Sequence, residues 1–527
     1  MNLVSLKTKG KGLLKKILIK TKLNSNRIFL NGIAIFICLI ILLPFVNLLF
    51  EAINGLNNGG ISLGPDGFKQ IKGTITLVIL STASGALLGT TNGWLLANCR
   101  FKGRKYLRLA QLLPLATPAY LLAAILIDLG SIYGIRIHGM GWGALIMALT
   151  TYPYVFLLSS ESFAKVGQRQ IEACRSLGIN PWDSFRRIAL PMTVPAIGAG
   201  VALMAMEIIN ELGAVELLNI PSISAGIVEN WIIKGNPSGA IALAFIALII
   251  VLLLVAYEKR LRRRSRRWSE GISGMEATKW DLYGSRAILA QAISIFPPLF
   301  TLGIPICWAI INFEQIKQGF DIELLQLTMR SVLLGLIASG LTILMAIFTS
   351  VCKRWSKNKW MQVLLFLSGI GYAIPGAVIA LALLSTSGLA WFAPPLFLLL
   401  WGYSDRFLAV AKGGLDAGFE RINPNIDEAA MNLGEKWIGL LRRVHLPLLK
   451  GPLIVGSLLV FVDTLKELPL TFILRPFDFD TLSVRIFQYA GDERMAESII
   501  PGLIVLAIGL LASIALMPSL EIKRKSY

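Results

Sequence analysis

The sequence predicts an all-α membrane protein of about 12 transmembrane helices, arranged as two parallel six-helix repeats. Three observations predict it. Apolar residues make up 55% of the 527 and fall in runs of about twenty; Lys and Arg lie in the short segments between those runs; and one loop pattern recurs 256 positions later.

The runs come first, because a bilayer core of roughly 30 Å is crossed by about 20 apolar residues in a helix, where every backbone group bonds inside its own segment. Spans are expected at Ile28–Phe50, Thr74–Asn98, Leu109–Leu129, Trp142–Ser160, Ala196–Leu218 and Ser238–Tyr257. A second set follows at Ala287–Ile311, Ser331–Cys352, Met361–Leu384, Trp391–Val410, Pro452–Leu474 and Ser498–Leu516. The first run is too long for a signal-peptide core and lacks a small-residue cleavage site, so it reads as a retained helix.

The formal charge of +20 does not point to nucleic acid, since the cations are spread over loops and form no basic globular segment. They act as a topology signal. The first 27 residues hold eight Lys/Arg and no acid, and residues 258–286 hold nine Lys/Arg. Placing both, with every second loop and the Lys523-Arg524-Lys525 tail, in the cytoplasm collects most of the 51 Lys/Arg on one side. The expected organisation is a basic cytoplasmic N-terminus (1–27), a first unit (28–257), a basic cytoplasmic linker (258–286), a second unit (287–520) and a cytoplasmic tail (521–527).

The chemistry available is narrow. Five cysteines without a CxxC pair, and only His138 and His445 as imidazoles, suit neither a disulfide frame nor a metal site. No Gly-x-x-x-x-Gly-Lys-Ser/Thr loop is present to cradle ATP phosphates, so an ATPase activity is not expected in this chain, and neither is a cofactor. Pro114, Pro118, Pro297, Pro298, Pro305 and Pro375 interrupt the apolar runs. The similar places of Pro118 and Pro375 in the two halves suit either a flanked pathway or ordinary kinks.

The repeat is carried by two polar loops. Ile171-Glu172-Ala173-Cys174-Arg175-Ser176-Leu177-Gly178 aligns with Asp427-Glu428-Ala429-Ala430-Met431-Asn432-Leu433-Gly434, Arg186-Arg187 with Arg442-Arg443, and Leu190-Pro191 with Leu446-Pro447. Eight of the 21 positions are identical without a gap. An ancestral duplication explains this, and an even number of helices per unit makes the repeats parallel. Glu-Ala-x-x-x-Leu-Gly reads as a short helix with an acid near its start and a glycine able to take a left-handed cap.

With those residues in view, both loops resemble the EAA loop of the inner-membrane permeases of ABC importers. The resemblance covers nearly the whole chain as two fused units and implies the type I importer permease fold. It implies that Glu172, Ala173, Leu177 and Gly178, and Glu428, Ala429, Leu433 and Gly434, form coupling helices seated in two copies of a cytoplasmic ABC ATPase. It also implies an extracytoplasmic solute-binding protein and a bacterial plasma membrane.

Acids recur too. At the same offset Glu207 aligns with Asp463 and Glu211 with Glu467, each pair spaced to share one helix face. Ionisable groups inside a membrane face a partner or a wet cavity. Lining of the pathway and an ion pair between Lys466 and an acid of its own half both satisfy that rule. The stretch Asp463–Gln488, with Lys466-Glu467-Leu468-Pro469 and Arg475-Pro476-Phe477-Asp478-Phe479-Asp480-Thr481-Leu482, resembles the fused permeases of ferric-iron importers, which makes iron(III) the expected cargo. Fused thiamine permeases share the architecture, whereas sulfate importers usually use separate chains. An ion-coupled secondary transporter is the alternative class, although it has no need of two matched docking loops.

Overall fold

The computed structural model describes residues 3–57, 63–165, 174, 176–269, 279–314, 321–356, 358–386 and 394–522. Almost all of them are helical, and the expected all-α membrane fold is present. Among the described residues seven helices are long and apolar enough to cross a bilayer unbroken: Phe29–Gly55, Gly67–Asn98, Met140–Ala164, Trp182–Asn210, Pro237–Arg262, Gly284–Ile311 and Ile322–Trp355. Three more are bent pairs, and counting each as one span gives ten.

The other two expected spans fall on helices Pro395–Arg421 and Met495–Ile522. The first is too polar to qualify by composition, because Asp405, Arg406 and Lys412 interrupt it. All three side chains are buried in protein, where ionisable groups of a membrane segment are placed.

The chain forms two compact units. The larger contains Phe45–Leu336, Ala373–Tyr403 and Phe461–Tyr527. Its core gathers Tyr120, Leu122, Ala148, Val155, Met204, Leu468 and Val484. Helices there approach closely through small residues, as expected where no hydrophobic effect separates helix from lipid. A β-carbon at Gly89 would stand 2.7 Å from Val155 Cβ, and one at Gly200 would stand 2.7 Å from Val155 Cα. A two-residue parallel ladder, Cys99–Arg100 with Trp280–Asp281, ties down the segment that follows the basic run. That run continues the preceding span as one helix, Pro237–Ser269.

The smaller unit contains Met1–Pro44, Ile337–Tyr372 and Ser404–Val460. Ala34, Cys38, Cys352, Met361 and Leu365 pack together in it. Lys353 Nζ pairs with Asp416 at 2.7 Å beside this cluster. The five cysteines are all free, and four are buried as small apolar residues.

Candidate functional site

The two repeated loops share backbone detail as well as sequence. Gly178 has φ +70° and Gly434 φ +89°, so both glycines take the left-handed conformation that ends a helix. The N–H of Ile179 donates to Cys174 O at 2.9 Å, and that of Glu435 to Ala430 O at 3.1 Å, closing equivalent caps. A π-helical turn follows in each copy, Phe185–Ala189 and Leu441–His445, again 256 residues apart. Such turns insert one residue into a helix and are enriched at working sites.

Each loop presents a repeated apolar pair. Leu177 is 76% exposed and Leu433 87%, while Trp182 and Ile438, also equivalent, are 65% and 59% exposed. Glu428 and Ala429 lie exposed on the helix Pro424–Asn432, whose first turn is capped by Asn423 Oδ1 accepting the Asn425 N–H at 3.0 Å. Glu172 and Ala173 lie outside the described residues.

The second repeated loop is anchored by a network whose Arg354 and Trp355 carry no signal in the sequence pattern. Asp427 is buried and accepts hydrogen bonds from Arg354 Nε at 2.7 Å, Arg354 Nη2 at 3.1 Å and Trp355 Nε1 at 3.0 Å. His445 Nε2 lies 2.9 Å from Asp427 Oδ1. Burial opposes charge on Asp427, but the bonds from His445, Arg354 and Trp355 outweigh it and hold its carboxyl well below the usual carboxylate range.

The recurring acids mark broken helices, which differs from the expectation of unbroken fifth and eleventh spans. The helix Leu190–Asn210 stops before Glu211, and a short helix, Gly213–Leu217, follows. In the other half Lys450–Lys466 stops before Glu467, and Pro469–Leu474 follows. Glu211 Oε1 accepts the Ala214 N–H at 3.0 Å, and Glu467 Oε1 accepts the Leu470 N–H at 3.1 Å. Each acid therefore caps the helix beyond its own break, satisfying donors that a membrane interior leaves without water.

The two breaks meet. A β-carbon at Gly213 would stand 2.6 Å from Leu468 Cδ2 and 2.6 Å from Tyr120 Cβ, and one at Gly376 would stand 2.5 Å from Glu467 Oε1. Glu207 and Asp463 lie one turn before the breaks, and Lys466 Nζ pairs with Asp463 Oδ1 at 2.9 Å. Lys466 thus neutralises an acid of its own half, as one of the two expectations held. Pro118 and Pro375 are also at breaks: the flanking helices bend by 88° at the first and 115° at the second. Among the described residues no group of three or more His, Cys, Asp or Glu is placed to hold a metal ion.

Two capped loops repeated at one spacing, on an all-helical set of spans with paired breaks, define a fused two-unit membrane permease of the ABC importer class. The chain belongs to the family of binding-protein-dependent transport system inner membrane components, which it matches twice, over residues 89–267 and 338–517. It is a multi-pass inner-membrane transport component. It is 26% identical over 488 residues to the Fe(3+)-transport system permease protein FbpB 2 of Haemophilus influenzae, covering 89% of this chain and 94% of that protein. It is also similar to the sulfate transport system permease protein CysT of Escherichia coli, 30% identical over 194 residues, or 34% of this chain and 70% of that one. CysT of Synechocystis is 27% identical over 210 residues, 36% of this chain and 71% of that protein.

Proposed function

We propose that this permease carries iron(III) delivered by an extracytoplasmic binding protein, driven by two copies of a separate cytoplasmic ABC ATPase. The observation that carries the choice of cargo is coverage. Similarity to the Fe(3+) permease runs through both fused units, whereas the CysT matches span about one. The stretch Asp463–Gln488 supports the same cargo, and carboxylates are hard oxygen donors suited to hard cations.

In this reading the ATPases seat the loops around Glu172, Ala173, Leu177 and Gly178 and around Glu428, Ala429, Leu433 and Gly434. The exposed pairs Leu177 with Trp182 and Leu433 with Ile438 supply apolar anchors. Closure of the ATPases on ATP moves the docking helices, and each π turn carries that motion into the helix leading to a break. Glu207, Glu211, Asp463, Lys466 and Glu467 then lie along the route taken by the solute. Both termini face the cytoplasm, where the cations of 1–27 and 258–286 belong by the positive-inside tendency.

The test is uptake of radiolabelled iron(III) by cells lacking the chain and cells complemented with it. Complementation is expected to restore uptake, and excess unlabelled iron(III), but not sulfate or thiamine, to compete. Competition by thiamine or sulfate, with no effect of iron, would transfer the cargo assignment to that solute.

A further inference from the structure

The second docking segment is held by a charged network whose members have no counterpart in the sequence of the first repeat. At the 256-residue offset Arg354 aligns with Asn98, Trp355 with Cys99, Asp427 with Ile171 and His445 with Ala189, so no residue of the charged network around Asp427 has a charged or imidazole counterpart in the first copy. In the first repeat, rings gather among the described residues. Trp94 meets Phe163 edge-on at 5.5 Å and Phe185 at a tilt at 5.0 Å. Phe419, the equivalent of Phe163, meets His445 edge-on at 5.2 Å.

The network around Asp427 is directional. Arg354 presents its fork to both oxygens of Asp427, on the docking helix, and its Nη1 also donates to Phe419 O at 2.7 Å and Ile422 O at 3.1 Å. The guanidinium therefore joins the end of the helix Ile322–Trp355, the end of Pro395–Arg421 and the first turn of Pro424–Asn432. A planar fork on a carboxylate fixes orientation as well as distance, and aromatic contacts tolerate sliding. His445 adds a tie from the π turn to the same carboxylate.

We propose that Arg354 and Asp427 are the positioning pair that sets the angle of the second docking helix toward its ATPase, a pair with no counterpart in the sequence of the first repeat. The proposal rests on the ATPase-docking reading above. Its consequence is asymmetry: losing the pair impairs contact at one seat and leaves the other intact. Neither residue touches the ATPase in this account, so both act through the pose of Leu433 and Ile438.

The test places photoreactive benzoylphenylalanine at position 177 or at position 433 in the full complex, purified from its native host, and measures cross-linking to the ATPase. Asp427→Asn and Arg354→Gln are expected to cut cross-linking from position 433 at least fivefold and to leave position 177 unchanged. Asp427→Glu, which keeps the charge pair, is expected to retain most of it. Transport per ATP hydrolysed is expected to fall with KM for ATP unchanged, because the nucleotide sites are elsewhere. Equal losses at both positions, or no loss at 433, would overturn the proposal. An absence of cross-linking at both positions in the unaltered complex would instead overturn the docking reading on which it rests.

Discussion

Asn210 and Lys466 hold the same position in the two repeats, and each reaches across to the helix bend of the other half. Asn210 Oδ1 accepts the Gly376 N–H at 2.7 Å, just past Pro375, and Lys466 Nζ lies 3.5 Å from Leu115 O, just before Pro118. One half supplies an acceptor to a helix start, and the other supplies a cation to a carbonyl at a helix end. Both choices complement the exposed backbone dipoles.

Removing these cross-ties separates a cap from an ion pair. Asn210→Ala loses one capping acceptor and is expected to destabilise by about 1 kcal/mol. Lys466→Met strands Asp463, which is mostly buried, and is expected to cost about 3–5 kcal/mol. Thermal unfolding in detergent checks the order, with Asp463→Asn/Lys466→Met recovering part of the loss. Equal effects from the two single variants would contradict the assigned roles.

The capping acids can be stripped of charge while keeping the cap. Glu211→Gln and Glu467→Gln each retain a carbonyl oxygen for the Ala214 or Leu470 N–H. Assembly is therefore expected to survive, while iron(III) uptake falls at least tenfold. Unchanged uptake would remove both residues from the route and leave them as caps alone.

Gly376 tests the closeness of the breaks. A methyl group there meets Glu467 Oε1 at 2.5 Å and Leu470 N at 3.1 Å. Gly376→Ala is expected to cost about 1–3 kcal/mol as overpacking and to impair uptake, measured as unfolding temperature and initial rate. A variant as stable and active as the parent would show that the breaks separate freely.

The Asp427 network carries a pH signature. Its carboxyl is held below the unfolded value, so its contribution is complete above about pH 4 and is lost only as pH falls below the usual carboxylate range. Proteolytic nicking of the second docking segment is expected to stay constant from about pH 8 to about pH 5. Asp427→Asn is expected to raise it throughout that range. Loosening of the parent between about pH 7 and pH 5 would contradict the argument.

The sequence made the spans legible because apolar runs of span length have few other uses, and it made the two repeated loops legible because identity at one offset is hard to reach by chance. The helix breaks were partly hidden. Their signal was present in Glu211-Leu212-Gly213 and Glu467-Leu468-Pro469, where an acid precedes a residue that weakens or starts a helix, but hydropathy ran on through both. The Arg354–Asp427 anchor was invisible to periodicity, since its partners lie 73 residues apart and the first repeat has no equivalent. The expected span at Trp391–Val410 falls on the helix Pro395–Arg421, whose buried Asp405, Arg406 and Lys412 weaken its hydropathy.

One permease with two ATPase seats has a defined mass as an intact complex. Purified in mild detergent from its native host and weighed by native mass spectrometry, the complex is expected to contain one permease and two ATPase chains. Glu172→Arg with Glu428→Arg is expected to release both. A permease that carries no ATPase, under conditions where other importers stay assembled, would contradict the account.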